Sequence, residues 1–264
     1  MSQSRNHSMD LLRIVATVAV ILIHINWYYF GSISESPQWT FHYVIESFIN
    51  IITRFSVPVF VMISGYFNLK NPQNGNPMQF YKKSIHKIGF PVLFVIVLFA
   101  IGDLFDVQQR GTTIIPALQS IFNGTYYNLW FIYMLFGCYF LTPVIMAFRN
   151  TVSFRFYKGF TLLCLLWACF SQTTSIQTYS YSIGVVGAFL TYYMYGDVLR
   201  ISQEKRLKSK MTMPMYGLMA TICVGLTFYG RWKGNTYYLS APFTNFFSPT
   251  IMIYSICIMK IFLK

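Results

Sequence analysis

Acid is what this sequence has least of: seven Asp and Glu stand against twenty Lys and Arg in 264 residues, and charged residues of both signs make up only 10% of the chain. Soluble domains carry roughly 25% charged residues, so an ordinary water-facing surface is excluded for most of the molecule. Long polar segments are equally scarce. The longest are NPQNGNPMQ (residues 71–79), which reads as a turn-rich loop, and SQEKRLKSK (residues 202–210), a solvated basic loop suited to acidic headgroups. There is no internal repeat, low-complexity tract or soluble appendage, so residues 1–264 read as a single membrane domain. Cysteine is sparse as well. Cys138, Cys164, Cys169, Cys223 and Cys257 lie inside apolar runs and show no C-x-x-C spacing, which indicates neither a disulfide framework nor a metal site.

Hydrophobic residues make up 55% of the chain and aromatic residues 19%. A net charge of +13 would suit nucleic acid only if the basic residues clustered on a soluble face. They punctuate apolar runs instead, so the expected partner is a lipid bilayer and not nucleic acid. The first run lacks a small-residue cleavage site and reads as a retained signal-anchor. A helix needs about 20 apolar residues to cross a bilayer. Eight candidates appear, at residues 9–29, 41–69, 88–105, 128–148, 156–172, 181–200, 212–229 and 246–263. The second is too long for one straight crossing and contains Pro58, which predicts a kink or tilt. The expected fold is therefore an all-α integral membrane protein of about eight transmembrane helices.

With the N-terminus in the cytoplasm, sixteen of the twenty basic residues fall on that side. Arg110, Arg231 and Lys233 fall outside, and Arg54 falls within the second span. This is a positive-inside pattern with both termini cytoplasmic. Trp27, Trp39 and Trp130 fall near the outer boundaries, where an aromatic belt is expected.

Ionisable residues within spans mark functional sites by default. The first span carries Arg13 and His24. Eleven residues at 100° each return to within about 20° of the starting direction, with a rise of roughly 16 Å, so the two face the same way without touching. Arg13 falls near the cytoplasmic boundary, where snorkelling to headgroups is its structural alternative; His24 falls toward the outer leaflet. Asp10 is about 21 Å from His24 by helical rise. Glu35, Glu46, Asp103 and Asp106 are the acids on or near the outer side that could hold the imidazole in one tautomer. Glu46 is the best placed, and it could equally be an interfacial carboxylate or a mate for Arg54 through the ridge Glu46, Asn50, Arg54. Ser64-Gly65, after Pro58, would let another helix or a ligand approach closely. In FYKKSIHKIGFP (residues 80–91), Lys82, Lys83, His86 and Lys87 form a basic cluster before the third span. It is either a positive-inside flank or a seat for the phosphates of an anionic cofactor at a helix start.

Four segments in order resemble the acyltransferase 3 family of multispanning membrane acyltransferases. MDLLRIVATVAVILIH is similar to its first helix, an Arg followed by ten residues and a His. VPVFVMISGYF is similar to its run ending in Ser-Gly, FYKKSIHKIGFP to its basic loop, and NLWFIYMLFGCYFLTP (residues 128–143) to its Leu-Trp-Phe segment. FLTYYMYGDVL (residues 189–199) is a looser likeness. The resemblance implies an acyl donor, usually acetyl-CoA, used from the cytoplasm, and an acceptor hydroxyl on an extracytoplasmic glycan or its lipid-linked precursor. It implies His24 as the catalytic residue, Arg13 in donor binding or site organisation, and a bacterial cytoplasmic membrane as the location. Glu46 joins these two as the candidate carboxylate, and Lys82, Lys83, Lys87, Ser64 and Gly65 are the candidate donor-binding residues. A general-base histidine and a transient acyl-histidine both fit. Two departures stand out. The family's basic loop usually has two arginines three apart, whereas the matching positions here are Lys83, Ser84, His86 and Lys87, and lysine lacks the planar fork. Family members also usually have about ten spans, so this chain reads as short at its C-terminus. The alternatives are a transporter or flippase of a glycan or acyl group, and an inactive truncated homologue. Acceptor identity, acyl chain and oligomeric state are not legible in the sequence.

Overall fold

The computed structural model describes residues 6–30, 41–71, 76–90, 92–94, 97, 130–174, 183–207, 211–234 and 245–263. Ten α-helices occur among them: α1 (His7–Phe30), α2 (Phe41–Thr53), α3 (Ser56–Asn68), α4 (Pro77–Ser84), α5 (Trp130–Phe140), α6 (Thr142–Thr151), α7 (Phe154–Thr174), α8 (Ile183–Glu204), α9 (Met213–Gly234) and α10 (Pro249–Phe262). A π-helical turn, Ile85–Gly89, follows α4. Most of the expected third span lies outside the described residues, as do Glu35, Trp39, Asp103, Asp106 and Arg110.

Among the described residues, three helical stretches are long and apolar enough to cross a membrane: His7–Asn26, Phe41–Asn68 and Met213–Lys233. The pair α5 and α6, bent by 41°, makes a fourth if counted as one span. The sequence leads one to expect eight. α8 has the length but carries Asp197, Arg200 and Glu204, and α10 is apolar but only 14 residues long. α1 shows the lipid-facing pattern best. Met9, Leu12, Ala16, Ala19 and Asn26 are buried along one stripe, while Leu11, Ile14, Val18, Ile21 and Ile25 are exposed around the rest. An exposed apolar face of that length belongs in lipid.

The chain forms two compact units. The first comprises residues 1–67, 155–178 and 191–264; the second comprises residues 68–154 and 179–190. In the first unit α1 runs antiparallel to α2 and α3: Asn26 meets Glu46 at one end and Arg13 meets Phe67 at the other. α9 and α10 are likewise antiparallel, joined by Thr227 to Thr250 at 2.7 Å and Lys260 to Tyr216 at 3.3 Å.

The expected kink in the second span is a turn at Arg54–Phe55 between α2 and α3. Pro58 has no N–H to return to the Arg54 carbonyl, so the ladder restarts with Val59 donating to Phe55 at 3.0 Å. Tyr254 of α10 donates its hydroxyl to the Ile52 carbonyl beside the break at 3.0 Å. α3 and α8 then cross at backbone contact. A Cβ on Gly65 would meet the Tyr193 backbone, and one on Gly196 would meet the Met62 backbone. The close approach expected at Ser64-Gly65 is thus made by a helix.

In the second unit, α4 begins earlier than the sequence suggests. Asn76 caps it by accepting from Gln79 N–H at 3.4 Å, and Pro77 occupies the first turn, so residues expected in a loop are helical. The α5–α6 bend sits beside Pro143, and Tyr81 of α4 donates to the Phe140 carbonyl there at 2.7 Å.

Candidate functional site

Arg13 and His24 lie on one unbroken helix, flanking its buried stripe on the same side. The helix therefore keeps them about 16 Å apart along its axis. Arg13 pairs with Asp10 one turn back at 3.1 Å and lies over the Phe67 ring of α3, 4.4 Å from its centroid, with its side chain 42% exposed. His24 is exposed, near the other end of the same helix.

Glu46 is the hub of a polar cluster buried between α1, α2 and α9. Its Oε2 accepts from Arg231 at 2.6 Å and from the Ser47 hydroxyl at 3.4 Å; its Oε1 accepts from the Asn26 and Asn50 amides, both at 3.4 Å. Asn26 also donates to the Glu46 backbone carbonyl at 3.2 Å. Four donors around a carboxylate take up about all of its acceptor sites. The ridge legible in the sequence is present, running on from Asn50, whose Oδ1 accepts from Arg54 Nε at 2.8 Å. Arg54 in turn lies over Phe246, and Arg231 over Tyr43. Glu46 and Arg231 are 4% and 8% exposed. A pair this deep holds because each charge is compensated, and removal of either partner is expensive.

A second polar cluster, buried at Asp197 and Arg200 and open at Gln203 and Glu204, lies toward the Arg13 end of the same unit. Arg200 bridges Asp197 at 2.5 Å and Glu204 at 2.7 Å, and Tyr66 donates to Gln203, which donates to the Leu263 carbonyl at 2.9 Å. Tyr66 adjoins Phe67, the ring under Arg13, so α3, α8 and the end of α10 are tied together beside that cation.

The expected site residues divide between the units. Arg13, His24, Glu46, Ser64 and Gly65 belong to the first; Lys82, Lys83 and Lys87 belong to the second. Ser64 is half-buried and Gly65 is buried. Lys82 and Lys83 are exposed in the last turn of α4, not at a helix start, so no free backbone amides accompany their charge. The Lys87 side chain lies outside the described residues. Among the described residues no three His, Cys, Asp or Glu side chains form a metal-binding group. Sequence reasoning missed Asn26 and counted Arg231 among the outer-side cations without linking it to Glu46. The usable signal was the lone carboxylate in an apolar span, which requires a cation from another helix.

Comparison with known proteins agrees with the resemblance. A profile of the acyltransferase 3 family, described as an acyltransferase domain, matches residues 6–263. The chain is also similar to an amino-acid racemase of Enterococcus faecalis, 30% identical over 160 residues that cover 57% of this chain and 21% of the racemase. The chain thus spans about a fifth of the length of that curated relative. No solved structure matches. With the family profile running across nearly the whole chain, the protein belongs to the acyltransferase 3 family of multi-pass membrane acyltransferases, which require an acyl donor.

Proposed function

We propose that the protein moves an acetyl group from cytoplasmic acetyl-CoA to a hydroxyl of an extracytoplasmic glycan or its lipid-linked precursor. The observation that carries this reading is α1, an unbroken helix that presents Arg13 and His24 on one side at opposite ends of a span-length stretch. In this reading the chain is one domain of eight spans with both termini in the cytoplasm of a bacterial cell. Arg13 then faces the donor side and His24 the acceptor side.

Neutral His24 takes the proton from the acceptor hydroxyl as its oxygen attacks the thioester carbonyl. The new C–O ester bond forms, the C–S bond breaks, and the coenzyme A thiolate leaves and is protonated. A transient acyl-histidine reaches the same products in two steps. Arg13, held by Asp10 and Phe67, organises the donor end. The ammonium groups of Lys82, Lys83 and Lys87 neutralise the donor phosphates by charge alone. Ser64 and Gly65 are the remaining donor-side candidates. The racemase likeness carries no reaction over, because it spans so small a share of that protein.

The test is transfer of radiolabelled acetyl from acetyl-CoA to glycan by the purified protein. His24→Ala should lose on the order of 100-fold or more of the transfer rate, and Arg13→Ala should raise the donor KM. Wild-type transfer by His24→Ala would remove His24 from the chemistry. Accumulation of translocated glycan in vesicles without any acetyl transfer would favour the transporter reading.

A further inference from the structure

Neither Asn26 nor Arg231 has a role in the reaction as derived so far. We propose that both are positioning residues for His24, acting through the Glu46 carboxylate; this rests on the reading of His24 as the reacting imidazole.

His24 stands on an exposed flank of α1, so the rotation of that helix sets the direction in which its side chain leaves the backbone. Along most of its length the buried face of the helix is Met9, Leu12, Ala16 and Ala19, and apolar contacts are non-directional. A directional contact comes at Asn26, two residues beyond His24. Its amide donates to both the backbone carbonyl and the carboxylate of Glu46. The amide orientation is set by its partners, since a flip would turn its oxygen onto the carboxylate. Among the described residues Asn26 Oδ1 is buried without a hydrogen-bond partner. A residue kept only for packing would avoid that cost, so the grip on Glu46 is what distinguishes Asn26 from an apolar side chain here.

Glu46 can serve as an anchor only if it is fixed itself. Arg231 of α9 does that at 2.6 Å, its guanidinium seated over Tyr43. The line Arg231, Glu46, Asn26 thus joins α9 through α2 to the turn of α1 that carries His24. At about 6 Å from the helix axis, a rotation of about 10° moves the imidazole by roughly 1 Å. A misplacement of that size can cost on the order of 100-fold in rate.

The experiment uses the full chain in lipid nanodiscs, with Asn26→Ala and the pair Glu46→Gln/Arg231→Met. The pair removes both charges, so no buried charge is left alone and the protein can fold. Turnover with acetyl-CoA and glycan is measured alongside carbethoxylation of His24 by diethylpyrocarbonate, followed by peptide mass spectrometry with exposed His86 as reference. We expect kcat to fall roughly 10- to 100-fold in both variants, the donor KM to stay within about twofold, and the His24-to-His86 modification ratio to shift at least about threefold. Arg231→Lys, which keeps the cation, should retain more of the rate than the pair. Unchanged kcat and an unchanged modification ratio in both variants overturn the proposal. So does a proportional rise at both histidines, which signals general loosening. If the wild type transfers no acetyl, the acyltransfer reading fails, and the modification ratio still decides whether Asn26 and Arg231 set His24.

Discussion

Adding one methyl group at the α3–α8 crossing should force two helices apart. An alanine Cβ at position 65 would lie on the Tyr193 carbonyl oxygen and 3.0 Å from the Tyr193 Cα. At position 196 it would lie on the Met62 carbonyl oxygen and 3.0 Å from the Met62 Cα. The obstructing atoms are backbone, so no rotamer change relieves the overlap. Carbon–oxygen contacts settle at about 3.3–3.6 Å, so the helices must part by on the order of 1.5 Å. A gap of about 0.5–1 Å already forfeits a quarter to a half of each dispersion contact across it. Met62, Tyr66, Tyr193 and Val198 are buried around this crossing. Gly65→Ala should therefore cost about 3 kcal/mol, the upper end for overpacking. Gly196→Ala should cost a similar amount. The double substitution should cost far less than the sum, with a coupling of about 2 kcal/mol, because helices already separated by the first methyl admit the second. The assay is denaturant unfolding in mixed micelles. Gly225→Ala is the control: among the described residues nothing lies within 4 Å of its Cβ position, and alanine gains about 1 kcal/mol of helix propensity there. Strict additivity, or a Gly65→Ala protein within about 0.5 kcal/mol of wild type, would refute the reasoning. A normal stability combined with a raised KM for acetyl-CoA would show instead that Gly65 faces the donor.

Three further outcomes follow from polar contacts. Arg200→Met leaves Asp197, which has no exposed surface, without its cation and should cost about 3–5 kcal/mol in the same unfolding assay; Glu204→Gln, at a carboxylate 50% exposed, should cost less than about 1 kcal/mol. Tyr254→Phe removes the hydroxyl that satisfies the Ile52 carbonyl at the α2–α3 break, and should cost about 1–3 kcal/mol, with faster amide exchange at the start of α3 as the local signature.

The path from residues to helices was short. Runs read at residues 9–29, 156–172 and 212–229 correspond to α1, α7 and α9 with ends shifted by a few residues. Hydrophobic length is a local property that a bilayer enforces residue by residue. Pro58 announced the discontinuity in the second span, though the turn falls at Arg54–Phe55, where the carbonyl that would have bonded the proline nitrogen is released. The early start of α4 was written in Asn76-Pro77 as a cap and a first-turn proline; a reading weighted to polar content assigned those residues to a loop.

The site was less legible, for reasons that differ by residue. Arg13 and His24 share a helix, so their separation and common direction follow from helical geometry alone and needed no fold. Composition and charge distribution likewise sufficed for a membrane domain, because lipid excludes unpaired polar backbone and charge wherever they occur. The partners of those charges are another matter. Nothing local says that Glu46 meets Arg231, which lies 185 positions further along the chain, or that Asn26 grips Glu46, or that Tyr193 packs its backbone on Gly65. Which cation neutralises a buried carboxylate depends on which helices pack side by side and at what height. That is settled by the joint fit of whole helix faces, and no short stretch of residues carries it.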